Sequence, residues 1–234
     1  MNPATSRIAL IHALEESVKP ARAAFAELWP EAHAFDLLET SLATDLAHRG
    51  TLDPVMMNRF QGLAGYAAGT AGVGGRTVGI LFTCSAFGPA IDAVKARLSI
   101  PVLCPNEAAF EAALQRGDRL GLVVTFGPSQ AALEAELRAM AAAKGREIAV
   151  ESVIAEGALA ALKQGDGPEH DRIVAATAAR LGPVDVVVLG QFSLARAHDA
   201  VAAACGRPVF TTPHSAVEML RRRIEQDSTH DLAT

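Results

Sequence analysis

Two kinds of segment alternate along the 234-residue chain. Short runs of apolar residues are typical of strands buried on both faces of a parallel sheet, and they are separated by longer stretches with apolar residues at helical spacing. The predicted strands cover residues 7–12, 33–38, 77–83, 100–104, 120–126, 147–154, 184–190 and 207–211. The predicted helices cover residues 15–28, 54–68, 88–98, 129–143, 168–181 and 192–204. This alternation predicts an α/β fold in which mainly parallel sheets are flanked by helices.

The sequence also contains a weak internal repeat. A shift of 107 residues places ILFTC (80–84) on VVLGQ (187–191), and a shift of 112 residues places 8–17 on 120–129. The order of predicted strands and helices repeats in the same way. The repeat predicts two pseudo-symmetric lobes, each a mainly parallel sheet flanked by helices.

We expect the N-terminal lobe to comprise residues 1–116 and 213–234 and to carry Cys84. The C-terminal lobe is expected to comprise residues 117–212 and to carry Gln191. Ligands of parallel sheets collect at the carboxyl ends of the strands. The active site is therefore expected in the cleft between the two lobes.

Charge and composition exclude several classes of partner. The chain is 50% hydrophobic and 20% charged with a net charge of −5, and its one dense basic run is Arg221–Arg223, so no nucleic-acid partner is expected. The N-terminal residues do not resemble a signal peptide, and no uninterrupted apolar stretch reaches the roughly 20 residues that cross a membrane. These features predict a cytoplasmic protein without a membrane partner.

The remaining motifs give little support to metals or nucleotides. The three cysteines have no CxxC spacing and the seven histidines no paired ligand spacing, so neither a disulfide nor a metal site is expected. The glycine-rich segment 69–75 follows a helix and precedes a strand. A dinucleotide-binding loop has the opposite order, so this segment does not fit one.

Cys84 is the strongest candidate for chemistry. A buried strand is predicted to end at Thr83, and a short turn from Cys84 leads to a helix that opens near Gly88–Pro89. Backbone N–H groups at a helix start lower the pKa of a thiol and attract carboxylates. The alternative is that Cys84 is an inert, buried, small apolar residue.

Three segments have a recognisable pattern: TCSAFGPA (83–90), GQFSLA (190–195) and the turn from Thr125 to Ser129. Together they resemble the aspartate/glutamate racemase superfamily, which includes glutamate, aspartate and hydantoin racemases, maleate isomerase and arylmalonate decarboxylase. The resemblance implies two lobes that enclose a small carboxylate substrate, a cysteine from each lobe on either face of the reacting carbon, and neither metal nor organic cofactor. It also implies a possible homo-oligomer.

Cys84 matches the first family cysteine, whereas Gln191 occupies the position of the second. An amide neither removes nor delivers a proton, so Gln191 is expected to bind a carboxylate or an enolate oxygen. Cys84 would then act from one side, as proton donor, proton acceptor or nucleophile. The expected reactions are racemisation or isomerisation, then decarboxylation or another lyase step. The alternative outside catalysis is a small-anion-binding protein.

Histidines and hydroxyls complete the predicted site. A second base could come from His12, at the end of the first strand, or from His214, after the last one. Cys104 and Cys205 match no catalytic position of the family and are expected to be structural. Hydroxyls and backbone amides can bind a carboxylate, although Ser and Thr also cap helices. The further predicted substrate-binding residues are Ser85, Ala86, Thr125, Ser129, Phe192 and Ser193.

Overall fold

The computed structural model describes residues 6–231, except for the side chains of residue 128 and of residues 228–231. The chain divides into two compact units. The first comprises Met1–Pro105 and Ala216–Thr234, and the second comprises Asn106–Ser215. No helix within the described part of the chain is long and apolar enough to cross a membrane.

The first unit contains a five-stranded sheet. Its strands are β1 (Arg7–His12), β2 (His33–Leu38), β3 (Ala71–Gly72), β4 (Gly75–Phe82) and β5 (Val102–Leu103). Its helices are α1 (Val18–Leu28), α2 (Ser41–Arg49), α3 (Pro54–Gly69) and α4 (Gly88–Lys95). The strands β2, β1, β4 and β5 pair in parallel in this order, and β3 forms an antiparallel hairpin with β4.

The second unit contains a four-stranded parallel sheet. Its strands are β6 (Arg119–Val124), β7 (Ala149–Ile154), β8 (Val186–Leu189) and β9 (Val209–Thr211). Its helices are α5 (Glu107–Leu114), α6 (Gln130–Ala143), α7 (Ala158–Lys163), α8 (Gly167–Ala178) and α9 (His198–Cys205). The last helix, α10 (Thr212–Asp231), begins in this unit and continues into the first.

The predicted α/β fold with two parallel-sheet lobes is confirmed. The order β2-β1-β4-β5 in the first unit is repeated as β7-β6-β8-β9 in the second. A 3₁₀ turn follows β1, β4, β6 and β8. These turns cover Glu15–Ser17, Ser85–Phe87, Gly127–Ser129 and Phe192–Ala197. The weak sequence repeat therefore reflects a repeated chain path.

The boundary between the units differs from the predicted one. The first unit ends at Pro105 rather than at residue 116, because α5 packs against β8, β9 and α6 of the second unit. The C-terminal helix returns to the first unit from Ala216 onward. Gly79 in β4 makes room for it, since a Cβ there would lie 2.8 Å from Ile224 Cδ1 and 3.2 Å from Leu220 Cδ1.

Some element bounds were also predicted too broadly. The segment 100–104 forms a strand only at Val102–Leu103, because Pro101 and Pro105 flank it and proline cannot donate to a strand ladder. The predicted helix 192–204 begins as a 3₁₀ turn, and its α-helical part starts at His198.

The glycine-rich segment 69–75 makes the β3–β4 hairpin. Gly74 and Gly75 have φ angles of 83° and 86°, which are left-handed conformations that favour glycine. A Cβ on Gly74 would also lie 2.9 Å from His33 Cβ. These glycines are therefore required by a tight turn.

Candidate functional site

Cys84 begins the turn that follows β4. Its backbone is extended (φ −117°, ψ 119°) and leads into the 3₁₀ turn Ser85–Phe87 and then α4. Phe87 is completely buried, with its ring 4.4 Å from that of Phe60 between centroids. This aromatic contact anchors the far end of the turn, while Cys84, Ser85 and Ala86 remain partly exposed.

The predicted lowering of the Cys84 pKa is wrong. Cys84 packs against the apolar core of the first unit, and burial raises the pKa of its thiol to about 11. The backbone N–H of Ala86 acts in the opposite direction but does not compensate. One N–H dipole is weaker than the loss of water around a thiolate, so the group is a protonated thiol at neutral pH.

Ser85 lies directly after the thiol. Its side chain is partly exposed, and among residues 6–231 its hydroxyl has no hydrogen-bond partner. It is therefore available to a ligand. The turn thus presents an S–H group and a free O–H group on adjacent residues.

His12 lies at the end of β1 and is completely buried. Its Nδ1 is 2.8 Å from Thr83 Oγ1, and its Nε2 is 3.0 Å from Asp36 Oδ1. Burial lowers the pKa of His12, although the hydrogen bond with Asp36 raises it. Both ring nitrogens are thus engaged within the protein, next to the residue that precedes Cys84.

In the second unit, Gln191 is joined to the turn that follows β6. Its Oε1 accepts hydrogen bonds from Thr125 N–H and Thr125 O–H, each at 2.7 Å. Its Nε2 donates to Ser129 Oγ at 3.2 Å, and Ser129 donates to the carbonyl of Phe126 at 2.8 Å. Only one amide hydrogen of Gln191 remains for a ligand. The predicted residues Gln191, Thr125 and Ser129 therefore lie together, and their hydrogen bonds join the segment after β8 to the turn after β6.

The other predicted residues of the second unit differ in accessibility. Phe192 is 2% exposed and Ser193 is 8% exposed, so both side chains are almost entirely enclosed. Within the described chain, the Ser193 hydroxyl has no hydrogen-bond partner. His214 is partly exposed, and its Nδ1 lies 2.8 Å from Thr211 Oγ1.

The two other cysteines occupy unrelated positions. Cys104 is 7% exposed at the end of β5, where its Sγ lies 3.9 Å from Asp92 Oδ1. Cys205 ends α9 and is partly exposed, and burial raises its pKa. Across the residues the structure describes, no three His, Cys, Asp or Glu side chains are grouped as metal ligands.

Sequence reasoning missed several buried or partly buried polar residues. Asp36 and Thr83 complete the hydrogen bonding of His12. Asn106 and Thr212 are 1% and 0% exposed, and their side-chain polar atoms have no partner in the described part of the structure. The signal for Asp36 was available, since it is the one acidic residue within the apolar strand HAFDLL. Nothing in the sequence indicates the burial of Asn106.

One surface cavity of the second unit contains none of the predicted residues. It has a volume of about 680 Å³ and lies beside β7 and α8 of the second unit, lined by residues such as Ser152, Glu156 and Arg180. It is shaped by exposed charged side chains of both signs. None of its lining residues is a cysteine, so it offers no alternative to the thiol of Cys84.

Comparisons with known proteins agree with this architecture. A family model described as "Asp/Glu/Hydantoin racemase" matches residues 63–220. No curated protein sequence matches this chain.

Solved structures with a similar fold include three racemase-related proteins. Glutamate racemase from Bacillus anthracis aligns with a TM-score of 0.69 at 12% identity, covering 96% of this chain and 84% of its own. Allantoin racemase from Pseudomonas fluorescens aligns with a TM-score of 0.67 at 17% identity, covering 94% of this chain and 92% of its own. An aspartate racemase homologue from Pyrococcus horikoshii aligns with a TM-score of 0.61 at 15% identity, covering 94% of this chain and 100% of its own.

Proposed function

The chain belongs to the Asp/Glu/hydantoin racemase family and is an enzyme of the racemase/isomerase kind, and from this premise we propose that it acts on a small carboxylic acid with Cys84 as proton donor. The observation that carries the proposal is the thiol of Cys84, protonated at neutral pH, at the carboxyl end of a parallel strand next to a free hydroxyl. Family membership makes the alternative of a non-catalytic binding protein the weaker one.

The raised pKa assigns the direction of proton transfer. A thiol with a pKa of about 11 holds its proton at neutral pH and can give it to a more basic carbon. In the proposed scheme, the carbon beside the substrate carboxylate first loses either a proton, which passes to solvent water, or carbon dioxide, and it keeps the bonding electron pair. The S–H bond of Cys84 then breaks, this carbon takes the proton, and the sulfur keeps the S–H electron pair as a thiolate. The thiolate is then reprotonated from solvent. No metal or organic cofactor is needed in this scheme, as the family resemblance implies.

The polar groups that remain free define the proposed substrate contacts. In the first unit, the hydroxyl of Ser85 can donate to a substrate carboxylate. In the second unit, the second amide hydrogen of Gln191 is a free donor at the strand ends. Thr125 and Ser129 use their donors on Gln191 and on Phe126. We therefore propose that Thr125 and Ser129 hold Gln191 in place.

A decarboxylation or another lyase step is the second candidate. It is favoured by the engagement of Gln191, whose oxygen accepts two hydrogen bonds from Thr125 and which has no proton to exchange. Loss of carbon dioxide leaves the bonding electron pair on the carbon as an enediolate, and one thiol is enough to protonate it. Racemisation needs a proton removed from carbon as well as one delivered to it. We nevertheless rank racemisation above decarboxylation because the chain belongs to a racemase family.

Isotope exchange tests both reactions. The protein is incubated in D₂O with both enantiomers of glutamate and aspartate, with allantoin, and with substituted malonic acids. Deuterium at the carbon beside the carboxylate is measured by mass spectrometry, together with released carbon dioxide. Allantoin has no carboxylate, so its deuterium is measured at the C–H carbon of the ring. We expect incorporation with at least one acid and a loss of about a hundredfold or more in Cys84→Ala, since a general acid typically contributes a factor of 10²–10⁴.

Cys205→Ala is the matched control, because it removes a partly exposed thiol outside the proposed site. It is expected to retain the wild-type rate. Exchange that persists unchanged in Cys84→Ala would exclude Cys84 as the proton donor. Carbon dioxide release without exchange of the unreacted acid would identify the lyase.

A further inference from the structure

We propose that His12 is a positioning residue for the Cys84 turn: held in one tautomer by Asp36, it fixes the direction of the Thr83 hydroxyl at the strand end from which Cys84 departs. The hydrogen-bonding part of this inference is independent of the proposed function, whereas its expected effect on catalysis rests on that function. The geometry is a continuous hydrogen-bonded chain of four residues, called the His12 chain below. Its members are Arg22, Asp36, His12 and Thr83.

Asp36 determines the tautomer. Its Oδ2 accepts from Arg22 Nε at 2.6 Å, and its Oδ1 lies 3.0 Å from His12 Nε2. A carboxylate paired with a guanidinium can only accept hydrogen bonds, so Nε2 must carry the hydrogen of a neutral imidazole. Nδ1 is then an acceptor. Thr83 Oγ1, 2.8 Å away, has to be the donor.

The orientation of Thr83 matters because Thr83 directly precedes Cys84. The Thr83 N–H donates to the Ile11 carbonyl at 3.1 Å, so both its backbone and its side chain are held by the end of β1. With its proton committed to Nδ1, the hydroxyl is left only with acceptor capacity. The His12 chain therefore fixes both the position of the strand end and the hydrogen-bonding polarity of Thr83, the residue that precedes Cys84.

Protonation of His12 would reverse this arrangement. The Nδ1–H of an imidazolium must donate, so Thr83 becomes the acceptor and its own proton turns to the Ile11 carbonyl, 3.4 Å from Oγ1. Burial lowers the pKa of His12 from 6.5, so the reversal belongs to acidic solution. The polar and charged groups that face the imidazole are Asp36 from β2, Arg22 from α1 and Thr83, which directly follows β4.

The tautomer can be tested without any activity. Long-range ¹H–¹⁵N spectra of the full-length protein report which ring nitrogen carries hydrogen, and His12→Gln assigns the His12 signals by their absence. We expect the Nε2–H form at neutral pH and a loss of this single form in Asp36→Asn, whose amide can also donate. A wild-type Nδ1–H tautomer, or an equal mixture, would overturn the proposal.

The catalytic consequence is tested with Thr83→Val, which removes the hydroxyl, and Thr83→Ser, which keeps it. We expect Thr83→Val to lower kcat by about tenfold to a hundredfold with little change in KM, as misplacement of a reacting group does. In the wild type, kcat should decline in acid as His12 is protonated and the hydrogen bond to Thr83 reverses. Thr83→Val should lack this decline, whereas Thr83→Ser should keep both the wild-type kcat and the decline. A rise in KM alone, or an acid decline that survives in Thr83→Val, would contradict the positioning role.

A third measurement separates failure of this inference from failure of the proposed function. If the wild type turns over no tested acid, the rate of iodoacetamide labelling of Cys84 serves as the readout, with Cys205 as internal reference. Labelling should be several times faster in Thr83→Val than in Thr83→Ser, because the turn is no longer held. Equal rates would refute the His12 chain as the support of Cys84.

Discussion

The thiol of Cys84 shows how two environmental effects of opposite sign compete at one residue. The strand–turn–helix segment 77–90 indicates backbone N–H groups beside the sulfur, and the N–H of Ala86 does face it. Packing against the apolar core removes water from the sulfur and has the larger effect. The result is a proton-holding thiol, which suits delivery of a proton better than its removal.

This pKa predicts an unusual pH dependence of alkylation. Only the thiolate reacts with iodoacetamide, so the labelling rate of Cys84 should keep rising with pH beyond 9 and reach half of its maximum only near pH 11. At pH 8 the thiolate fraction should be about a hundredfold lower than that of a thiol with the ordinary value of 9.0, because the difference is two pH units.

The measurement is peptide mass spectrometry at fixed labelling times between pH 7 and 10.5. Cys84→Ala identifies the peptide by its absence. A rate that levels off below pH 8 would show that the thiol is activated in solution. That result would contradict the role of Cys84 as proton donor and assign it the role of a base or nucleophile.

Gln191 illustrates a residue whose place the sequence reveals but whose bonding it does not. Alignment of the two halves places it at the position equivalent to Cys84, and an amide cannot replace a thiol in proton transfer. Its oxygen is nevertheless occupied by both donors of Thr125. That bonding depends on two strand ends 66 residues apart in sequence, so local patterns could not indicate it.

At the scale of elements, short turns and glycines determine where the site residues point. The 3₁₀ turns Ser85–Phe87 and Phe192–Ala197 each place a phenylalanine in the core. The residue that precedes each turn, Cys84 or Gln191, stays at the end of a strand. In the β3–β4 hairpin, Gly74 is left-handed and closely packed. In α3, by contrast, Gly65 is exposed with open space around it.

These two glycines should respond oppositely to substitution by alanine. Gly74→Ala should lower the free energy of unfolding by more than about 1 kcal/mol, because a left-handed residue gains a Cβ that lies 2.9 Å from His33 Cβ. Gly65→Ala should raise it by about 0.5–1 kcal/mol, since alanine is the better helix former. Urea unfolding followed by circular dichroism measures both. Effects of the same sign would contradict the assignment of the hairpin.

At the scale of the molecule, the two units differ in how the chain builds them. The second unit is one continuous segment, Asn106–Ser215, with apolar clusters on both faces of its sheet. The first unit is discontinuous, because α10 packs across Gly79 of β4 and Arg221 donates to the Leu28 carbonyl at 3.0 Å. The first unit is therefore completed only when the end of the chain is present.

This difference predicts the behaviour of fragments. Residues 106–215 should fold alone and unfold cooperatively, whereas residues 1–105 should not, because the apolar surface that α10 covers is left exposed. Adding a peptide of residues 216–234 to fragment 1–105 should restore a cooperative transition. Circular dichroism and thermal unfolding of the three samples decide the point. Independent folding of 1–105 would show that α10 is dispensable for the first unit.

The sequence by itself determined the α/β class, the repeated order of strands and helices, the return of the C-terminal helix and the location of Cys84 in a turn after a strand. These depend on hydrophobic periodicity and turn residues, which act between near neighbours along the chain. The unit boundary at Pro105, the raised pKa of Cys84 and the partners of His12 and Gln191 were decided by the tertiary structure alone. Burial and hydrogen bonding depend on which distant segments pack together, and that information appears only when the sheets assemble.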